Sequence, residues 1–304
     1  MLTLRFLGPL SEDTLHIADM EIQSQLFGEA TEINRNMPDF GNEEWDGILG
    51  LSPSNEASDL RTSSPFQNMV AQELLDWNLF SLKLPRGRED PGEIHFGGID
   101  ESMYEGKLKK LPLVPYSPDK YQCIKGRWIV PASGIGIGDG FGSLNGYVAT
   151  IETDYPFISL PENYVMLLEK QLGFKPGNRH GNVGDFLSTI DCAKRKEMED
   201  VKIVLAGEEF VLNSFDYVLE IEKKVLDQGV EMEGDGNGKG ERDKEAVCVS
   251  AFLPWREDFQ DEKYIVLGTA FLRAHYGVFD LDGKTVSFGK VIRRIANREG
   301  REEL

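Results

Sequence analysis

Along most of this chain apolar and polar residues alternate in short runs broken by glycine and polar turns, the pattern of strands with one buried face. Thr14-Leu15-His16-Ile17 and Glu21-Ile22-Gln23 predict two strands joined through Ala18-Asp19-Met20, and Gln25 to Ala30 predicts a further short strand. Phe66 to Leu75 changes period: Phe66, Met69, Val70 and Leu74 share one helical face. Phe80 to Leu84 alternates again, and Glu93-Ile94-His95-Phe96 runs into the turn Gly97-Gly98. Strands are also expected at Trp128-Ile129-Val130 and at Tyr147 to Ile151, and Pro161 to Val165 opens a helix through Leu167, Leu168 and Leu172. Many short strands with few helices predict a mostly β fold.

Two segments mirror each other. Trp45-Asp46-Gly47-Ile48-Leu49-Gly50-Leu51 and Tyr264-Ile265-Val266-Leu267-Gly268 each run apolar residues into a glycine at a strand end. A glycine there allows another stretch of backbone to pass close by. Between them, Ala149 to Pro161 reads as a buried strand that breaks into a polar loop at Glu152-Thr153-Asp154 and resumes as Ile158-Ser159-Leu160-Pro161. Such a loop presents a carboxylate at the end of a strand. The Gly134 to Gly142 stretch satisfies no GxGxxG register and no helix follows it, so a flexible hairpin loop is the better reading than a nucleotide cradle.

Composition narrows the function classes. A net charge of −19 argues against a nucleic-acid partner, because phosphate binding needs a basic face. It suits either an acidic compartment or simple solubility. No run approaches the ~20 apolar residues of a membrane-spanning helix. Cys123, Cys192 and Cys248 form no CxxC pair, and His16, His95, His180 and His275 are scattered, so neither a metal nor a cofactor is expected. From about Glu222 to Glu245 the chain is charged and glycine-rich. Asp235 to Gly240 is faintly like a calcium loop, but Lys239 occupies a ligand position and Ala246 stands where the closing Glu belongs, so a solvated insertion is expected. Met1 to Phe6 lacks the layout of a signal peptide and alternates like a strand already under way.

Taken in order, these pieces resemble a pepsin-family aspartic protease of fungal type. Asp13 to Ile17 through Gln25-Leu26-Phe27-Gly28 resembles the strands just after the family's flap. Trp45 to Leu51 resembles a first-lobe core strand, and Gly92 to Asp100 with Tyr104 to Leu108 resembles the run into the second lobe. Val266 to Phe279 resembles the closing strand and helix. The resemblance implies two β-barrel-like lobes around a substrate cleft. Residues 1–113 would form a partial N-terminal lobe, 114–290 the C-terminal lobe, and 291–304 a charged tail. It implies aspartic endopeptidase activity on a peptide or protein substrate, a monomer, and an extracellular or vacuolar location. Each lobe of the family supplies one Asp from an Asp-Thr-Gly or Asp-Ser-Gly loop, and the two carboxyl groups share a proton.

This chain departs from that pattern. It contains neither tripeptide. The family's first catalytic loop lies upstream of the region matching Asp13, so an incomplete first lobe is expected. Counting back from Leu160-Pro161 puts Glu152 at the second catalytic Asp, Thr153 at the Thr, and Asp154 at the Gly. Tyr155 and Pro156 replace the residues that supply hydroxyls to the site. One extra methylene displaces a carboxylate by about 1 Å, which can cost on the order of 10²-fold in rate. The expectation is therefore an inactive or severely impaired protease, with a non-catalytic peptide-binding protein as the alternative. Trp45 and Ile48 are expected to supply apolar pocket positions. Thr269 stands after Leu267-Gly268 where many relatives carry Asp. By the same resemblance Cys192 and Cys248 match the second-lobe disulfide, which requires an oxidising compartment, and Cys123 has no matching partner.

Overall fold

The computed structural model describes residues 6–29, 31–33, 47–54, 62–86, 90–115, 124, 126–178, 186–222, 246–254, 263–292, 295–296 and 302–303. Trp45, Cys123, the calcium-loop-like Asp235 to Gly240 and most of the charged insertion and tail lie outside them.

The first third begins with β1 (Phe6–Leu7), the hairpin β2 (Leu10–Ile17) and β3 (Met20–Gly28), and β4 (Glu32–Ile33), which pairs back with β1. The hairpin turns through Ala18 and Asp19, as the sequence suggested. The separate strand expected at Gln25 to Ala30 is instead the continuation of β3. The ladder shifts register between Asp13 and Leu15, opposite Ser24 with its positive φ of 52°. Such a bulge breaks the alternation of one strand, which therefore reads as two. Helix α1 (Pro65–Ala71) buries Phe66 and Met69 as predicted. It starts with a capping box: Ser64 Oγ accepts from the Gln67 N–H at 3.3 Å, and Gln67 Oε1 accepts from the Ser64 N–H at 2.9 Å. It ends four residues before Leu75, because Glu73 turns to φ 54° and sends the chain on to β5 (Leu79–Lys83), β6 (Glu93–Phe96) and β7 (Tyr104–Pro112).

The rest of the chain supplies β8 (Ile129–Ile137), β9 (Gly140–Ile151), β10 (Ile158–Leu160), α2 (Glu162–Leu172), β11 (Thr189–Ile190), β12 (Val201–Leu205), β13 (Glu208–Leu212), α3 (Ser214–Tyr217), β14 (Val218–Glu222), β15 (Ala246–Ser250), β16 (Phe252–Pro254), β17 (Tyr264–Leu267), α4 (Thr269–Leu272), β18 (His275–Asp280) and β19 (Thr285–Val291). The Gly134 to Gly142 stretch is a hairpin, but four of its five glycines lie in strands. Only Gly138 and Asp139 form the turn. The glycines are there for closeness: a Cβ on Gly136 would stand 2.0 Å from the Gly140 carbonyl oxygen, and one on Gly142 would meet the Tyr164 ring.

A seven-stranded sheet runs in the order β13-β12-β8-β9-β17-β10-β16, and a five-stranded sheet in the order β6-β5-β18-β19-β7. The second draws strands from both sides of the boundary expected at residue 113. The fold is mostly β, as the pattern implied. Trp128 ties the layers together. Its ring meets Phe80 and Phe279 edge-on, and its Nε1 donates to the Leu51 carbonyl at 2.9 Å. The disulfide forms between Cys192 and Cys248, with Cα atoms 5.2 Å apart and a sequence separation of 56. A loop of that length is worth roughly 4 kcal/mol in the chain-entropy account. Among the described residues no helix is long and apolar enough to cross a membrane.

Candidate active-site groove

The site is built where β9 ends. β17 lies between β9, which it pairs with in parallel (Leu267 opposite Ile151), and β10, which it pairs with antiparallel (Leu267 opposite Ile158). The six residues from Glu152 to Phe157 must therefore cross the end of β17. Four backbone hydrogen bonds hold them there. The Glu152 N–H donates to the Leu267 carbonyl at 3.1 Å, and the N–H groups of Gly268, Thr269 and Ala270 donate to the carbonyls of Phe157, Tyr155 and Pro156 at 3.0, 2.7 and 3.2 Å. Gly268 makes the crossing possible. A Cβ on it would stand 2.0 Å from the Tyr155 oxygen and 2.4 Å from the Phe157 oxygen.

This loop delivers Glu152 to the floor of a groove of about 870 Å³. The β2–β3 hairpin supplies one wall through Asp13, Leu26 and Phe27, and Ile48, Leu49 and Trp128 add apolar surface. Glu152, Thr153 and Asp154 all line it, as does Ile48. Tyr155 and Thr269 do not. The Tyr155 hydroxyl shares a 2.6 Å hydrogen bond with Ser159 behind the floor, and burial raises its pKa against the opposing pull of that bond. Thr269 opens α4 beneath the loop, where its N–H holds the Tyr155 carbonyl.

The partners of Glu152 decide its chemistry. Arg127 Nη1 lies 2.5 Å from Glu152 Oε1, and the buried Thr150 hydroxyl donates to the same oxygen at 2.6 Å. Among the described residues these are its side-chain partners. Burial pulls the Arg127 pKa down, but Glu152 and, less strongly, Asp154 push it up, and it ends above its ordinary value. Arg127 carried no motif in the sequence, and only register finds it. β8 and β9 pair antiparallel with Ile129 opposite Thr150, so two residues further out Arg127 faces Glu152. Thr150 is two residues before Glu152 and so shares its face of the strand.

The arrangement places one carboxyl group at a strand-end crossing on the lining of a groove. The sequence profile of the eukaryotic aspartyl protease family matches residues 3–232 and 235–291, and this chain belongs to that family. It is 32% identical to vacuolar protease A of Neurospora crassa over 94% of its own length and 62% of that protein's. It is 32% identical to vacuolar protease A of Aspergillus fumigatus, over 93% of the chain and 61% of the relative, and 27% identical to cathepsin D of Gallus gallus, over 94% and 62%. The chain thus spans about three fifths of the length of these relatives. Its strand-dominated sheets agree with the pepsin-like bilobal β architecture.

Proposed function

We propose that this chain binds an extended polypeptide in its groove and does not hydrolyse it at a useful rate. The observation that carries this reading is the 2.5 Å ion pair between Glu152 and Arg127. Peptide hydrolysis by this family needs two carboxyl groups that trade one proton, one taking it from water and the other giving it to the leaving amine. A guanidinium keeps its protons under all physiological conditions, so Arg127 is neither a base nor a proton-sharing partner. It also engages the Glu152 carboxyl group in a direct charge-assisted contact. The side chain of Asp154, where the family's loop carries glycine, adds bulk beside the same floor.

Aspartic endopeptidase activity is the competing reading, favoured by the protease names of the relatives. A peptide or protein ligand, a monomeric state, and a vacuolar or extracellular location accompany either reading. The vacuolar names of the fungal relatives and the Cys192–Cys248 bridge support the location. The test uses the purified full chain with an unfolded protein substrate across acidic pH, beside an intact aspartic protease as control. No cleavage above background, together with measurable peptide binding, is expected. Cleavage that a pepstatin-type inhibitor blocks overturns the proposal.

A further inference from the structure

We propose that the groove selects a cationic polypeptide segment, one whose lysine or arginine side chain faces the Asp13 and Asp154 carboxylates while apolar neighbours pack on the wall formed by Leu26, Phe27 and Ile48. The inference rests on the reading of the groove as a peptide-binding site and names what that site would take.

Charge complementarity carries it. Among the described residues that line the groove, the charged ones are Asp13, Arg127, Glu152 and Asp154. Arg127 and Glu152 neutralise each other in direct contact. The remaining carboxylates are Asp13 on the hairpin wall and Asp154 on the floor loop, both exposed; Asp154 also acts on Arg127, but three carboxylates against one guanidinium leave the lining negative. One oxygen of Asp13 accepts the Thr14 N–H at 2.7 Å, and the carboxylate retains further acceptor positions. An anionic segment would meet two like charges within the groove and the −19 field of the whole chain. A neutral segment would strip water from both carboxylates without replacing the lost bonds. A cationic one compensates them. The apolar part of the recognition is equally open: Ile48 is 69% exposed and Phe27 43%. Its occupant therefore carries apolar side chains beside the cationic one.

The experiment measures the affinity of the full chain, by calorimetry, for three blocked peptides that differ at one central position. That position holds lysine, glutamine or glutamate between apolar neighbours. Exposed ion pairs support a lysine-over-glutamine preference of about 2- to 20-fold for two carboxylates at low ionic strength, shrinking as salt is added. Glutamate should bind weakest. In the Asp13→Asn, Asp154→Asn double variant the lysine-over-glutamine preference should fall towards unity. Both positions are exposed, and circular dichroism verifies that the variant folds. Equal affinity for lysine and glutamine peptides, or a preference that survives in the double variant, overturns the inference and leaves the peptide-binding reading standing. Failure of all three peptides to bind overturns both.

Discussion

Replacing Arg127 by Met and Glu152 by Gln, singly and together, tests the contact on which the catalytic argument turns. Two unit charges about 4 Å apart attract by roughly 4 kcal/mol at the effective dielectric of a protein surface and by roughly 1 kcal/mol in water. The pair sits between these limits, since the Glu152 side chain is 14% exposed and that of Arg127 34%. Desolvation offsets part of the attraction, and the exposed flank of Arg127 lowers it further, so a coupling of about 1–2 kcal/mol is expected. The single variants should differ. Arg127→Met strands a mostly buried carboxylate with the Thr150 hydroxyl as its remaining donor, a loss of about 2–3 kcal/mol. Glu152→Gln keeps an acceptor for Thr150 and leaves Arg127 near Asp154, a loss of about 1 kcal/mol.

The assay is urea unfolding at neutral pH and low ionic strength, followed by fluorescence and by circular dichroism. The two transitions must coincide for the free energies to have meaning. The coupling should shrink in high salt, though less than for a fully exposed pair. A coupling below about 0.3 kcal/mol would mean that the two side chains act independently. Glu152 would then be free to serve as a general base, and the case for inertness would lose its physical footing.

Two further outcomes follow from the crossing loop and from buried phenols. Gly268→Ala places a methyl against two backbone oxygens that cannot move without undoing β10, and should cost about 3 kcal/mol, the upper end for overpacking; an unchanged urea midpoint would refute the close approach. Burial raises the pKa of Tyr155, Tyr217 and Tyr276 above the ordinary 10.0 in the folded chain. The unfolded chain therefore loses these protons first, so stability is full below pH 10.0 and falls as pH rises through the folded values. Tyrosinate absorbance from these residues should appear in step with loss of structure, and smooth ionisation with circular dichroism intact would contradict it.

What could be read from the sequence was what local chemistry dictates. The helix at Phe66 announces itself by the spacing of Phe66, Met69, Val70 and Leu74, a signal that needs no tertiary partner. The strand at Leu79–Lys83 alternates too cleanly to be anything else, although both its faces prove to be buried. Where the reading failed, tertiary structure had intervened. Ser24 was invisible as a bulge because a bulge exists only against a partner strand. Gly134 to Gly142 looked like a loop because glycine is taken for freedom, yet at Gly136 it is demanded by a neighbouring carbonyl. The groove lining shows the same division. Counting from Leu160-Pro161 singles out Glu152 and Asp154, which line the groove, whereas Tyr155 and Thr269 are not among its lining residues. Arg127 could not be found at all, since nothing in its own neighbourhood marks it and 24 residues of chain lie between it and its partner. Only the pairing of β8 with β9 brings the two charges together.

The crossing loop explains how a catalytic position can change its chemistry while the fold persists. The main chain pins residues 152–157 across the end of β17 with four N–H groups, four carbonyls, and one glycine that must lack a side chain. None of the four bonds depends on which side chains the loop carries. The scaffold therefore tolerates Glu for Asp, Asp for Gly and Pro at 156 without losing the geometry that carries them. The side chains answer to a different constraint, the cost of an unpaired charge on a half-enclosed floor. With a second carboxyl beside it, such a charge would be relieved by a shared proton, and that proton is what hydrolysis needs. Arg127 meets it with a charge of opposite sign instead. On the reading proposed above, a fixed ion pair in place of a shared proton is a change small in sequence and neutral for the backbone. It would leave the groove and its apolar wall available to a polypeptide without the reaction.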